Sequence, residues 1–165
     1  MPLNLDLTTA AEGGFDPLPQ GRYNATIRKA EMRETSGTGK MPAGTTMLNV
    51  GFEIDKDDIP EHPEAKKGKN FTTYVFKGYP IPDKGYEKHD QLMGILIGML
   101  KATGLWSDEE LREEGGFHLD ENDLLGCRVI VKVSQREYVD NATEEKRTTN
   151  QVDGVLPSAA SVKVV

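Results

Sequence analysis

The sequence is poor in cysteine, in long apolar runs and in targeting signals. Its single cysteine, Cys127, permits no internal disulfide, which is typical of a protein from a reducing compartment. The longest apolar run, residues 92–100, is interrupted by Gly94 and Gly98 and is shorter than the ~18 residues of a membrane span. The first residues lack the basic stretch and apolar core of a secretion signal. These absences favour a soluble domain that is not stabilised by disulfide bonds.

The residue patterns of known catalytic and metal sites are also missing. The three histidines, His62, His89 and His118, stand in separate segments without the i,i+4 or Cys-x-x-Cys spacing of metal ligands. There is no Gly-x-x-x-x-Gly-Lys-Ser/Thr phosphate loop and no Gly-x-Ser-x-Gly nucleophile elbow. Cys127 opens a hydrophobic stretch and is predicted to be buried rather than reactive. We therefore expect no enzymatic activity, no bound metal and no cofactor.

The net charge of −7 comes from one acidic segment. Residues 105–123 hold eight acids and one base, whereas the rest of the chain has 19 acids and 19 bases. The body of the protein is therefore electrically balanced. Because binding to a polyanion depends on the local potential, the acidic total does not exclude a nucleic acid as partner.

Alternation of apolar and polar residues predicts five strands, because side chains in a strand point in turn to its two faces. The clearest case places Val129, Val131 and Val133 on one face, between basic and polar residues. A Gly/Ser/Thr-rich loop at residues 34–45 separates the first two strands. The strands are predicted at residues 21–31, 46–54, 70–77, 124–138 and 147–152.

Two helices are predicted between the third and fourth strands. Residues 89–103 carry an apolar stripe, and Gly104 can end that helix in a left-handed conformation. Ser107 is placed to cap a short acidic helix that stops near residue 114.

The chain divides into a lead-in, one folded domain and a tail. The prolines among residues 1–20 keep the lead-in extended, and its Phe15 and Leu18 are expected to pack against the first strand. The predicted ranges are 1–20 for the lead-in, 21–156 for the barrel domain with a helical insertion at about 89–114, and 157–165 for the tail.

The order of three strands, a helix and two strands indicates a mainly β fold. A five-stranded barrel with one or two helices between strands three and four is the layout of the oligonucleotide/oligosaccharide-binding (OB) fold. Other small α+β folds share this order. We predict an OB-fold-like β-barrel.

Basic residues and one tyrosine lie on the outward face of the predicted fourth strand, and further basic residues lie in the adjoining loops. Both faces of the predicted third strand carry aromatic residues, so at least one of these rings is expected to be exposed. Single-stranded nucleic acid binds to such surfaces, because cations contact phosphates and rings stack on bases. Solvated strand faces and ordinary barrel cores produce the same pattern, so that explanation stays open beside the first. The candidate residues are Arg28, Lys40, Lys69, Tyr74, Phe76, Lys77, Arg128, Lys132, Arg136 and Tyr138.

Several stretches resemble a bacteriophage family whose members often carry only the description of a domain of unknown function. Its genes lie beside recombination and replication genes, and its members are thought to bind single-stranded DNA. The resemblance covers about residues 15–153. It rests on Phe-Asp-Pro-Leu-Pro-Gln-Gly-Arg-Tyr at 15–23, Glu-Thr-Ser-Gly-Thr-Gly-Lys at 34–40, Met-Leu-Asn-Val-Gly-Phe-Glu-Ile at 47–54, the helix at 92–105 and the strand with its turn at 126–138.

The resemblance implies a non-enzymatic OB barrel that binds single-stranded DNA, largely without sequence preference, during phage DNA replication or recombination in the host cytoplasm. It places the loop with Lys40, and the strands with Phe52, Tyr74, Lys132 and Arg136, near the DNA. Many phage and bacterial single-strand binders recruit partners through an acidic tail, whereas the acids of this chain cluster at 108–123.

Two other functions fit the sequence. The protein could be a phage structural or assembly protein that pairs strand edges with a neighbour. It could equally be a recombination-accessory protein that docks through its acidic helix. Phage or host replication and recombination proteins are the expected protein partners, and the sequence leaves homo-oligomer formation open.

Overall fold

Five antiparallel strands form one sheet, and a helix lies between the third and fourth strands. The computed structural model describes residues 2–4, 15–35, 44–65 and 68–158. The strands are β1 (Gly21–Glu34), β2 (Thr46–Ile54), β3 (Tyr74–Ile81), β4 (Arg128–Val139) and β5 (Lys146–Pro157), the helices are α1 (His89–Ala102) and α2 (Asp108–Leu111), and short 3-10 turns occupy Lys56–Asp58 and Glu121–Leu124.

β1 is the central strand of the sheet, whose order is β3-β2-β1-β4-β5. Its first part pairs with β4 and its later part with β2. The register with β2 shifts between Ile27 and Lys29, and a bulge of this kind bends a strand and increases its twist. The edges of the sheet, β3 and β5, lie close together.

The predicted barrel is not closed. Within the described ranges, β3 and β5 are the edge strands, and no backbone ladder joins them. Lys77 Nζ donates to the Val152 carbonyl at 3.1 Å, so at this point a side chain rather than a backbone amide crosses between the edges. The fold is therefore an open five-stranded sheet, and the closed barrel is wrong because the β3–β5 pairing is missing.

Residues 15–20, called the strap below, cross the open side of the sheet. The Asp16 N–H donates to the Asn70 carbonyl at 3.0 Å, and the Thr72 N–H donates to the Asp16 carbonyl at 2.9 Å, just before β3 begins. Leu18 is fully buried, and side chains of β4 and β5 bind its backbone. The strap thus contacts the chain on both sides of the gap.

The core lies on the inward face of the sheet and under α1. Val129, Val131 and Val133 are buried, which confirms the predicted inward face of β4. Alternate residues of β2 face the core in the same way. α1 contacts β3 and β5, and Cys127 is buried as expected. The buried residues of β2 and α1 include Leu48, Val50, Phe52, Ile54, Leu96, Met99 and Leu100.

β3 spans Tyr74–Ile81 rather than the predicted residues 70–77. Phe71 forms a parallel bridge with Asp16 instead of pairing with β2, which moves the start of the strand. Pro80 pairs with Met47 inside β3, where a loop was expected. Proline is tolerated there because β3 is an edge strand, whose outward N–H groups have no ladder partner.

The connection between β3 and β4 follows the prediction with shorter elements. α1 ends at Ala102, one residue early, and Gly104 has the positive φ of 76° that was expected after it. Ser107 and Glu110 form a capping box on α2, which ends at Leu111 rather than near residue 114. β4 begins at Arg128, because a 3-10 turn and the positive φ of 86° at Gly126 precede it.

In the described part of the chain, every helix is too short or too polar to cross a lipid bilayer.

Candidate nucleic-acid interface

The gap between β3 and β5 contains an open cleft of about 500 Å³, called the ring cleft below. Tyr74 and Phe76 form one wall, since alternate residues of β3 point outward. Their rings stack with centroids 6.1 Å apart and an interplanar angle of 20°. Phe76 is 61% exposed, which is unusual for a ring that size. The cleft is lined by Phe15, Pro17, Thr72, Tyr74, Val75, Phe76, Arg136, Thr148, Thr149 and Asn150.

A hydrogen-bonded carboxylate fixes the orientation of Tyr74. Its hydroxyl donates to Glu53 Oε2 at 2.8 Å, and this bond raises the pKa of Tyr74. Arg28 Nε lies 3.8 Å from the other oxygen of Glu53, and the Arg28 side chain is half exposed. Arg28 therefore sits beside the rings, partly neutralised by Glu53 but still open to solvent.

Arg136 supplies a cation to the ring cleft. It extends from β4 on the face opposite the buried valines, and it is exposed. No described residue forms an ion pair with it. Because an unpaired guanidinium can both contact phosphate and stack on a base, Arg136 gives the cleft the chemistry of a nucleic-acid site.

A second cleft adjoins the first, and Phe15 lines both. Tyr138 and Arg147 face each other across the β4–β5 pair and line this second cleft. Tyr138 is 42% exposed. Arg147 Nε contacts Asp140 Oδ2 at 3.1 Å while its side chain remains half exposed. Tyr138 thus lines a cleft next to the ring cleft.

Lys132 is exposed on β4 but does not line the ring cleft. It borders a small separate cleft with Arg22 and Asp153. Hydrogen bonds from Gln151 and Ser134 lower the pKa of Asp153, and Lys77 and Lys132 lower it further by their charge. Lys132 and Arg136 are four residues apart, about 13 Å along an extended strand. They form two positions of positive charge rather than one cluster.

Three of the predicted cations are held by partners inside the protein. Arg128 makes a bidentate pair with Asp55, its Nη1 lying 3.0 Å from Oδ1, and this pair raises the pKa of Arg128. Lys69 Nζ contacts Asp16 Oδ1 at 3.0 Å. Lys77 binds the Val152 carbonyl and lies 5.5 Å from the ring centroid of Tyr79. These three residues stabilise the fold, and we leave them out of the interface.

Two predicted residues remain, and Phe52 is the one that the structure describes. Phe52 is fully buried, because it shares the inward face of β2 with Leu48 and Val50. Its ring cannot reach a ligand at the surface. Lys40 lies outside the described residues.

Sequence reasoning missed two residues of these clefts. Phe15 was expected to pack against β1, but it is 69% exposed, because the strap is fixed through Leu18 instead. Arg147 was assigned only to a returning strand. Its position opposite Tyr138 in a hairpin could have identified it, since paired residues lie on the same face of a sheet.

The described residues contain no group of three or more His, Cys, Asp or Glu side chains that could hold a metal ion. His62 is buried between the strap and the segment before β3. Its Nδ1 accepts from the Glu64 N–H at 2.8 Å, and its Nε2 therefore donates to Asp16 Oδ2 at 2.7 Å. Both ring nitrogens are thus used within the protein.

No protein-family model matches the sequence, and no curated protein matches it.

Proposed function

We propose that the protein binds single-stranded DNA without catalysing a reaction, and that it acts in phage DNA replication or recombination in the host cytoplasm. The observation that carries this proposal is the stacked, solvent-facing pair of Tyr74 and Phe76 beside Arg136. Flat rings next to an unpaired cation suit bases next to phosphates, and each stack is worth about 1–3 kcal/mol. Nothing in this geometry selects one base over another, so binding is largely independent of sequence.

The strand order supports a more specific assignment of the open five-stranded sheet, namely an OB-type barrel. That fold is a partly open five-stranded barrel that binds oligonucleotides on the face of strands two and three and on the loops after strands one and four. Here Tyr74 and Phe76 lie on β3, and Tyr138 lies near the end of β4. The candidate interface therefore occupies the expected side of such a barrel.

Titration of a fluorescent oligo-dT at two salt concentrations tests the proposal. We expect binding at low salt that weakens as salt rises, since phosphate contacts release counterions. Arg136→Glu should weaken binding strongly. Lys84→Glu is the matched control, because it makes the same charge change in an exposed loop beyond the far end of β3. No binding at low salt, or equal effects of the two variants, would contradict the proposal.

In the part of the chain that the structure describes, β3 and β5 are edge strands without a further ladder partner, which favours a second candidate, a phage assembly protein that pairs these edges with a neighbouring subunit. Mass photometry without DNA discriminates between the two. Assemblies larger than a dimer that form without DNA, together with absence of oligo-dT binding, would support assembly.

Docking of replication or recombination proteins on the acidic helix is tested by a pull-down with Glu109 and Glu110 changed to Lys.

A further inference from the structure

We infer that Phe15 is a third base-stacking residue, which the strap carries into the cleft from outside the sheet, and that Asn150 is the residue that positions it. This inference rests on the proposed function. It assigns part of the DNA site to the extended segment before the barrel, where the sequence pattern predicted only a lead-in.

Asn150 binds the backbone of Leu18 as a partner strand would. The Leu18 N–H donates to Asn150 Oδ1 at 2.8 Å, and Asn150 Nδ2 donates to the Leu18 carbonyl at 3.0 Å. Gln135 Nε2 donates to the same carbonyl at 3.0 Å. Two side-chain amides therefore satisfy both polar groups of a buried residue, which fixes the strap against β4 and β5.

The other end of the strap is fixed at Asp16. Its backbone bonds to residues 70 and 72, and its carboxylate contacts Lys69 and His62 at 3.0 and 2.7 Å. The bond with Lys69, followed by that with His62, lowers the pKa of Asp16. Phe15 is thus next to a backbone segment that is held on both sides of the gap between β3 and β5. Pro17 and Pro19 further restrict the backbone conformations of this segment.

Phe15 nevertheless leaves most of its ring in solvent, with an exposed fraction of 69%. It lines the ring cleft together with Phe76 and lines the neighbouring cleft together with Tyr138. A ring that is this exposed contributes little to the core, and it borders the clefts that also contain the exposed rings of Phe76 and Tyr138. In this inference, the rings lining the two clefts form one path for successive bases of a strand, with Arg136 and Arg147 beside them; these rings are Phe15, Tyr74, Phe76 and Tyr138.

The first test uses the ring itself. Phe15→Ala should weaken oligo-dT binding by about fivefold or more, the loss expected for one stack, and leave the thermal midpoint unchanged. Leu3→Ala is the matched control, because Leu3 is 85% exposed and also precedes the barrel. An affinity of Phe15→Ala within twofold of the wild type would overturn the inference.

Phe15→Trp adds a spectroscopic readout. The wild type has one tryptophan, Trp106, whose ring packs edge-on against Phe117 away from the clefts. Stacking on a base quenches indole fluorescence, so the variant should keep wild-type affinity and show quenching on oligo-dT addition that exceeds the wild-type signal. Equal quenching in the two proteins would contradict stacking at residue 15.

A double-mutant cycle tests the positioning role of Asn150. Asn150→Ala should weaken binding, and Phe15→Ala combined with Asn150→Ala should be no weaker than Phe15→Ala alone, because the two residues act through one ring. A merely structural Asn150 would instead give additive losses.

If Arg136→Glu and Phe76→Ala weaken binding while Phe15→Ala does not, only this inference fails. If the wild type binds no oligo-dT, the proposed function fails with it.

Discussion

The ring of Phe76 lies directly over Gly51 on the outer face of the sheet. A β-carbon at residue 51 would stand 2.9 Å from Phe76 Cε1 and 3.1 Å from Lys29 Cβ. Both distances are shorter than ordinary van der Waals contact. The absence of a side chain at residue 51 is therefore what allows Phe76 to lie flat beside Tyr74.

Gly51→Ala should displace the Phe76 ring and weaken oligo-dT binding about as much as Phe76→Ala does, by fivefold or more. Gly94→Ala is the matched control, because an added β-carbon there meets nothing within 4 Å. In a helix that substitution should leave affinity unchanged and raise the free energy of unfolding by about 0.5–1 kcal/mol. Fluorescence anisotropy and urea unfolding measure both quantities. Unchanged binding by Gly51→Ala would show that the ring position is irrelevant to the ligand.

Arg136→Ala should reduce the salt dependence of DNA binding. The slope of log K against log salt should fall by about 0.7, the value for one phosphate contact to a single strand. Lys132→Ala should reduce it less, because Lys132 lies near Asp153 and outside the ring cleft. Titrations at four or more salt concentrations give the slopes. A larger change for Lys132 than for Arg136 would place the phosphate path on the other cleft.

Arg128→Ala should lower stability rather than affinity. It breaks the bidentate pair with Asp55 and the bond from Arg128 Nη1 to Thr26 Oγ1 at 3.0 Å. Hydrogen bonds to charged groups that are partly buried contribute about 1.5–3 kcal/mol, so we expect a loss of about 2 kcal/mol in urea unfolding. The folded variant should bind oligo-dT like the wild type. Weaker binding without a loss of stability would return Arg128 to the interface.

Asp16→Asn should change how stability depends on pH. Lys69 and His62 lower the pKa of Asp16 in the folded protein below its ordinary value of about 3.9. The stabilisation is therefore present above about pH 4 and is lost as the pH falls through the folded pKa. The wild type should lose more stability between pH 6 and pH 3 than Asp16→Asn does.

Urea midpoints at pH 6 and pH 3 measure this difference. Asp57→Asn removes one exposed acid that has no ion pair in the described part of the chain, and it should behave like the wild type. Equal losses in wild type and Asp16→Asn would mean that the contacts of Asp16 contribute nothing to folding.

The sequence predicted those features that depend on local periodicity. Alternation identified the inward face of β4, and it placed Tyr74 and Phe76 together on one face of β3 without deciding which way that face points. Ser107 and Gly104 marked the ends of helices, because capping depends on neighbouring residues alone. The sequence pattern ended β3 too early because of Pro80. Proline is tolerated in an edge strand, and which strand forms the edge is not evident from the local sequence.

Features set by distant residues were not predictable in this way. Arg128 resembles a free surface cation in sequence, yet its partner Asp55 is 73 residues away. Lys77 likewise reaches Val152 across 75 residues. Phe15 is exposed because Asn150 holds Leu18, and no local pattern links these segments. Pairing of charges between remote strands decides which cations are available to a ligand.

The bonds between Leu18 and Asn150 join positions that are 132 residues apart. Contacts of such high sequence separation form late in folding, because the entropy of closing a long loop must be overcome first. During synthesis, β5 leaves the ribosome after the other four described strands, so the two bonds from Asn150 to the strap form only then. A growing chain can therefore fold most of the described sheet while its proposed DNA site is still incomplete, and this site is completed only once β5 has been synthesised.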